Sequence, residues 1–517
     1  MLSSAFNIQP VKASETIYIR VDGSIDPDTA PISTLDMVTY TFTNNIYDEI
    51  VVERDNIVID GAGYTLDGSA LGDHPQGIDL SNRSNVTFKN AAVTWFYDGI
   101  VLSNSSGNTI CHNNITNSFY GIRLWSSSGN TISGNKITNN EGGISLLGSS
   151  NNTFRNNNMS GNLCNFGVIG FGLTDYIHDI DSSNTVDGKP VYYWINRQNE
   201  SAPADAGYMA FVNSTNITVK NLDLKNNFEG LLLAYTKNSL ITANNITNNV
   251  YGIWLFNSSG NSISGNHVTN NSYAGIQLSD SSDWNMICYN NITDNWYGIK
   301  LFNSSSNVVH HNYFINNTMF QVYWVYVKAG HENVYDDGYP SGGNYWSDYT
   351  GVDLHSGSFQ NETGCDGIGD TPYIIDGNTQ DSYPLMKPYS DTTPPIIAVL
   401  SPENLTYATT SIPLEFAVNE CTCWIGYSLN RQANVTITGN TTISGLSDGS
   451  HNLTVYTKDT AGNIAASETV YFSINTQPPE QFPTWIIWAT IATIVIATAA
   501  IAVFWRRRKQ PPIEDST

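Results

Sequence analysis

The stretch Tyr120-Gly-Ile-Arg-Leu-Trp-Ser-Ser-Ser-Gly-Asn-Thr-Ile-Ser-Gly-Asn-Lys-Ile-Thr-Asn-Asn140 decides the fold, because its order of residue types recurs on both sides. Twenty-two places before Ile122, Leu124, Ile132 and Ile137 stand Ile100, Leu102, Ile110 and Ile115; 22 places after stand Ile144, Leu146, Phe154 and Met159. A second run carries Leu231, Leu233, Ile241 and Ile246, then Ile253, Leu255, Ile263 and Val268, then Ile276, Leu278, Ile287 and Ile292, then Ile299, Leu301, Val309 and Phe314. A fixed period of this size is the mark of a solenoid. Within one period the apolar residues alternate with polar neighbours or sit singly between Ser, Gly and Asn, which is a strand period broken by turn residues. The spacing therefore predicts an all-β fold, a right-handed parallel β-helix with coils of about 22 residues. A single coil cannot bury enough apolar surface to offset its ordering entropy, so stability comes from stacking.

Two polar registers follow the same period. Asn108, Asn130 and Asn152 share one, and Asn113, Asn135 and Asn157 another. Stacked at turns, these side chains predict a coil-to-coil hydrogen-bond ladder rather than a ligand site. The glycines that precede the first strand (Gly99, Gly121, Gly143, Gly252, Gly275, Gly298) read as a backbone requirement at a coil corner.

Outward from the repeats, residues 1–14 read as a residual signal-like segment. From Glu15 to Leu66, apolar and polar residues alternate, as expected of strands that cap the solenoid. Coils are expected over about 57–163 and again from Ile217 to about Phe314, with an insertion or irregular coil between Cys164 and Asn213. Aromatic, Gly- and Pro-rich segments from Asn333 to Leu385 read as a terminal cap. The Gly-Ile-x-Leu coils resemble the NosD-type right-handed β-helix family. So do Val186-Asp-Gly-Lys-Pro-Val-Tyr-Tyr-Trp194 and the terminal Gly343-Asn-Tyr-Trp-Ser-Asp348, Asp366-Gly-Ile-Gly-Asp370 and Tyr383-Pro-Leu385. That family lies within the wider group of carbohydrate-binding and sugar-hydrolase β-helices. The resemblance covers about 15–390 and implies the fold together with a surface location of archaeal type; it implies little about activity.

Residues 391–476 follow a Pro-Pro linker and show short alternating strands with turns at Asp448-Gly449. This predicts an immunoglobulin-like β-sandwich of roughly seven strands. The uncharged run 484–505, at about 1.5 Å per residue, has the length of a bilayer core. Trp485, Trp488 and Trp505 suit the interfaces, and Arg506 to Lys509 predict an inner tail, 506–517. The expected topology is single-pass type I, with the bulk of the chain extracellular.

The net charge of −24 argues against a nucleic-acid partner, which requires a basic footprint. The cysteines Cys111, Cys164, Cys288, Cys365, Cys421 and Cys423 form no metal-ligand or disulfide framework, and mostly unpaired thiols are expected. Asn-x-Ser/Thr triplets are frequent, for example at Asn82, Asn114, Asn245 and Asn434, as an Asn/Ser/Thr-rich repeat would produce by chance.

Catalysis on a β-helix would need carboxylates converging on one face, and the coils offer only scattered acids such as Asp79, Asp98 and Glu141. Activity as a polysaccharide lyase or hydrolase stays open. Copper, which the NosD resemblance raises, calls for clustered His, Met or Cys, whereas the His310-His311 pair is expected to face opposite ways. For calcium the candidate ligands are Asp366 and Asp370, with Asp353 as a helper, since alternating Asp and Gly supply oxygens and a tight turn. Aromatic residues recur beside the Gly corners, and Trp125, Tyr251, Trp254, Trp296 and Tyr297 are the candidate glycan-binding set. The reading is a membrane-anchored protein that binds glycans or envelope components, with an enzyme and a copper-maturation accessory as alternatives.

Overall fold

The computed structural model describes residues 16–72, 74–325, 331–377, 379–387, 394–419, 422–459 and 463–476. The expected signal-like segment, the membrane-spanning run 484–505 and the tail 506–517 lie outside them. Among the described residues no helix is long and apolar enough to cross a membrane.

Each coil places short strands on three faces. The expected columns form: Ile100 pairs with Ile122 and Ile122 with Ile144 on the first face, and Ile110 pairs with Ile132 on the second. Ile115 pairs with Ile137 on the third. All of these side chains are buried. The first strands are longer because Gly-Ile-x-Leu gives two inward residues, whereas the single Ile of the other faces supports three-residue strands. Ile17–Ile19 is itself in register with Ile50–Val52, so the coils begin earlier than the repeat pattern showed. They also run later, to Phe320–Val325.

The ladders explain the asparagines. Asn135 Nδ2 donates to the Ile110 carbonyl at 2.9 Å and to Asn157 Oδ1 at 3.0 Å, while its own Oδ1 accepts the Asn113 backbone N–H at 3.0 Å. Buried turn amides are thus satisfied from the neighbouring coil. The corner glycine Gly121 is required by crowding: a Cβ there would lie 2.7 Å from Ile137 Cγ2 and 2.8 Å from the Gly143 carbonyl oxygen.

The segment expected to be an insertion, 164–213, is where the solenoid changes sides. Cys164–Ile169 is a regular first strand, and Thr185–Val186 is the last third-face strand of the first segment. The Asp187-Gly188 turn then sends Lys189–Ile195 back antiparallel to Thr185–Val186, and every later first-face strand follows in parallel from it. One 13-stranded sheet therefore holds third-face strands of the first segment and first-face strands of the second, running in opposite directions. Right-handed winding with reversed strands puts the interior on the other side of the sheet. The two cores bear this out. Met209, Phe211, Leu231 and Leu233 belong to the second core, whereas Tyr193, Tyr208, Ala210, Leu232, Trp254 and Phe256 pack with the first. The outer surface of the second segment's early strands thus closes the open end of the first, and the apolar residues at their outward positions are buried for that reason.

At the far end Tyr345–Trp346 pairs with Tyr313–Ile315, and the Trp346 ring stacks between Phe314 at 4.5 Å and Tyr373 at 4.2 Å. Asp381 accepts from the Asn344 N–H at 2.6 Å and from Trp346 Nε1 at 2.8 Å, so the terminal motifs close the second core. Beyond residue 394, three- and six-stranded sheets enclose a separate core that includes Leu414, Leu453, Val455 and Phe472. Among the described cysteines Cys111, Cys164 and Cys365 are free, as expected, and Cys288 is disulfide-bonded.

Candidate functional site

The outward positions of the first-face strands carry aromatic rings and charged side chains. In the first segment rings stack from coil to coil beside the Gly corner: Tyr97 lies on Phe119 at 4.9 Å, Phe119 meets Tyr120 edge-on at 4.9 Å, and Tyr120 faces Phe228 at 6.3 Å. Arg123 lies over Tyr120 at 4.9 Å and over Trp125 at 5.7 Å. Its guanidinium also pairs with Asp98 at 3.6 Å. Burial pushes the Asp98 carboxyl above the usual carboxylate range, with Arg123 opposing the shift. Its Oδ1 is buried with no hydrogen-bond partner among the described residues.

The second segment repeats the theme where its first-face strands emerge from under the first. Tyr251 meets Trp254 at 4.7 Å and Tyr273 at 5.1 Å, Tyr273 meets Tyr297 at 5.4 Å, and Tyr297 meets Tyr323 at 5.1 Å. Lys300 lies over Tyr273 at 4.4 Å and over Tyr297 at 5.7 Å, and its ammonium donates to the Tyr273 hydroxyl. These contacts are cation–π in geometry and hold both cations upright at the surface. A trough of about 460 Å³, lined by Trp95, Phe119, Glu141 and Leu163 among others, opens round the corner from Phe119.

Of the five aromatic residues proposed from sequence, Trp125 is 49% exposed and is packed with Arg123. Tyr251 and Tyr297 join the second run of rings. Trp296 is exposed at the adjoining turn. Trp254 is a correction: at 6% exposure it packs beneath the first segment, with Nε1 donating to Ser279 Oγ at 3.2 Å. An outward position reads as exposed only while nothing sits on the sheet, and the change of sides was not visible in the repeat.

The three acids proposed for calcium do not converge. Asp353 accepts the Asp366 and Gly367 amides at 3.1 and 2.9 Å. Asp366 accepts the Ile368 N–H, and Asp370 accepts Leu354, His355 and the His355 ring at 2.9–3.1 Å. Their oxygens brace the turns of the cap, and no group of three or more His, Cys, Asp or Glu side chains suited to a metal occurs among the described residues. His310 and His311 also depart from expectation. His311 has left-handed backbone, φ 57°, which swings its ring until the two Nδ1 atoms lie 2.6 Å apart. Both rings are buried, and burial with the neighbouring imidazole pushes the His310 pKa down to about 3.

Glu229 went unnoticed in the sequence. It is fully buried at the seam, where Oε2 accepts the Val168 N–H and the Tyr208 hydroxyl, both at 3.1 Å, and Oε1 has no partner among the described residues. Burial raises its pKa to about 8 despite those two bonds. A readable signal existed: an acid precedes the corner Gly230, where the aligned coils have Tyr251, Ala274 and Tyr297.

Comparison with known proteins agrees with the architecture. Residues 179–351 match the family described as periplasmic copper-binding protein (NosD), and residues 41–188 match the right-handed β-helix region family. Halomucin of Haloquadratum walsbyi is 39% identical over 95 residues, which are 17% of this chain and 1% of halomucin, so the chain spans a very small part of that relative. Among solved structures, the A-module of a mannuronan C-5 epimerase from Azotobacter vinelandii is 15% identical with a TM-score of 0.28, covering 58% of this chain and 80% of that one. DFA-IIIase from Arthrobacter chlorophenolicus A6, without its lid, is 12% identical with a TM-score of 0.22, covering 57% and 69%.

Proposed function

We propose that this chain, a right-handed β-helix that matches the NosD family over residues 179–351 and the right-handed β-helix region family over 41–188, is a surface-displayed protein that binds sugar chains along the outer face of its first-face strands. The observation that carries the reading is the run of half-exposed rings with Arg123 and Lys300 laid across them. Pyranose rings present a C–H face that packs on aromatic π-surfaces and hydroxyls that take hydrogen bonds from amines and guanidinium groups. Successive rings about 5 Å apart along a rigid rod suit an extended polymer rather than a compact ligand. The C-terminal uncharged run and its basic tail support display from a membrane with the β-helix outside, and the strands beyond residue 394 serve as an immunoglobulin-like spacer.

A second reading has its own observation. Asp98, buried beside Arg123 with its carboxyl pushed above the usual range and one oxygen unpartnered, is the acid on this face best placed for proton transfer, which would make the face an active site. A copper role finds less support, because no group of three or more His, Cys, Asp or Glu side chains suited to a metal stands with the His310-His311 pair among the described residues.

The deciding experiment presents neutral, amino-sugar and uronate oligosaccharides to the full chain while binding and product release are followed together. Binding without release supports the first reading. Release abolished by Asp98→Asn would replace it with the enzyme reading. Stoichiometric copper uptake with no sugar binding would overturn both.

A further inference from the structure

Every fully buried asparagine among the described residues lacks a Ser or Thr two places on. The ladder geometry explains this: two residues after such an asparagine the chain reaches a core residue or a crowded corner, as from Asn135 to Ile137. The Asn-x-Ser/Thr triplets fall instead on exposed or half-buried asparagines. On the third face they take a particular form. In Asn114-Ile115-Thr116, Asn158-Met159-Ser160, Asn245-Ile246-Thr247 and Asn291-Ile292-Thr293 the middle residue is buried, so the amide and the hydroxyl both point outward on one side of the strand. The intervening coils carry Lys136 and His267 at the asparagine position. Acceptors therefore stand on alternate coils, roughly 10 Å apart at two strand spacings. The Thr293 hydroxyl already donates to the Asn291 carboxamide oxygen. Asn245 Nδ2 is engaged with Asp223 Oδ1 at 2.8 Å, an exposed contact that water can replace. No first-face strand carries such a triplet.

We propose that Asn114, Asn158, Asn245 and Asn291 are N-glycosylation sites, so that the third face is sheathed in glycan. The donor is a lipid-pyrophosphate-linked oligosaccharide, acted on by a membrane-bound transferase as the chain is exported. Asn Nδ2 attacks C1 of the donor's first sugar. The C1–O bond breaks and the lipid pyrophosphate leaves with its electron pair. Nδ2 loses one proton to a carboxylate of the transferase, and nothing is oxidised or reduced. The hydroxyl two residues on binds and positions the acceptor. Because both groups point outward, a glycan added before the coil stacks does not obstruct stacking. Glycans on alternate coils also have twice the room of glycans on adjacent ones. The proposal shares only the surface location with the sugar-binding reading.

The test directs the full chain into the export pathway of a host that glycosylates asparagine, with a second exported protein of known occupancy as control. Tryptic peptides are mapped by mass spectrometry after enzymatic glycan release in heavy-oxygen water, which marks each former site as aspartate. The expected result is glycan at all four asparagines and none at the ladder positions. Thr116→Val keeps the branched shape and removes only the hydroxyl; it is expected to abolish the mark at Asn114 and leave the other three unchanged. Unmarked third-face peptides beside a fully occupied control, or an Asn114 mark that survives Thr116→Val, would overturn the proposal. Sugar affinity does not enter this readout, so failure here is distinct from failure of the binding reading.

Discussion

The Glu229 carboxylate accepts the Val168 backbone N–H at 3.1 Å, joining the last strand of the first segment's own first-face sheet to the first-face sheet of the second. Val168 lies on a strand edge, where an unpaired N–H needs an acceptor. Asn165 N to Asn226 O at 2.6 Å and Phe228 N to Phe166 O at 3.0 Å complete the same edge. A side chain thus takes over where the ladder of coils is interrupted.

Glu229 makes stability depend on pH. Its folded pKa, about 8, lies above the ordinary 4.5, so between those values the folded state holds more protons than the unfolded one and stability falls as pH rises. Asp381, pushed up to about 7 by burial, acts in the same direction. His178, buried and lowered to about 4, acts oppositely, adding stability as pH rises from about 4 to the ordinary 6.5. Glu229→Gln is expected to flatten the fall above pH 6.5 and to raise stability at pH 8.5, by on the order of 4 kcal/mol at most. Thermal melts of both proteins across pH check this. Parallel pH profiles would contradict it.

Asn135→Ala leaves the Asn113 N–H and one Asn113 Nδ2 hydrogen without their acceptor, whereas Asn157 Oδ1 keeps the Asn135 backbone N–H. The expected loss is about 2–5 kcal/mol, since each buried unsatisfied group costs about 1–3 kcal/mol. Exposed Asn114→Ala, at a position without left-handed backbone, is expected to change stability by less than about 0.5 kcal/mol. Denaturant titration of the two variants distinguishes a structural ladder from a decorative one.

Gly121→Ala drives a methyl against Ile137 and the Gly143 carbonyl oxygen. A cost of about 1–3 kcal/mol is expected from overpacking. Backbone hydrogen exchange should show the loosening concentrated in the coils on either side. A variant as stable as the parent would mean that the corner is more open than described.

Trp125→Ala and Tyr297→Ala each remove a ring from the proposed binding face and are expected to weaken oligosaccharide binding about 5- to 30-fold, that is, by about 1–2 kcal/mol, with little change in melting. Trp254→Ala is expected to act first on stability, by about 3–5 kcal/mol, because its ring is buried under the first segment. Calorimetric titration and melts of the same preparations separate these effects.

Much of this fold is legible in the chain because each coil repeats the same solution. Ile122 and Ile144 stack as their spacing requires, and the ladder at Asn108, Asn130 and Asn152 is read from one register. The change of sides is not legible, since it depends on Lys189–Ile195 reversing after a two-residue turn and on which sheet that strand then joins. The burial of Trp254 at an outward position follows from the same reversal. The ring face is partly legible, because Tyr251 and Tyr297 recur with the corner glycines. Arg123 and Lys300 acquire meaning only when their neighbours on adjacent coils are known. Asp366 and Asp370 look like metal ligands in one dimension and serve as turn braces in three.

The claim that the first-face rings hold a sugar chain is tested most directly by hydroxyl-radical footprinting of the full chain with and without its best-binding oligosaccharide. The account predicts protection of Tyr120, Trp125, Tyr251 and Tyr297, with exposed Trp284 reacting equally in both states. Protection of Trp284 alone, or saturating ligand that shields none of the four, would contradict it.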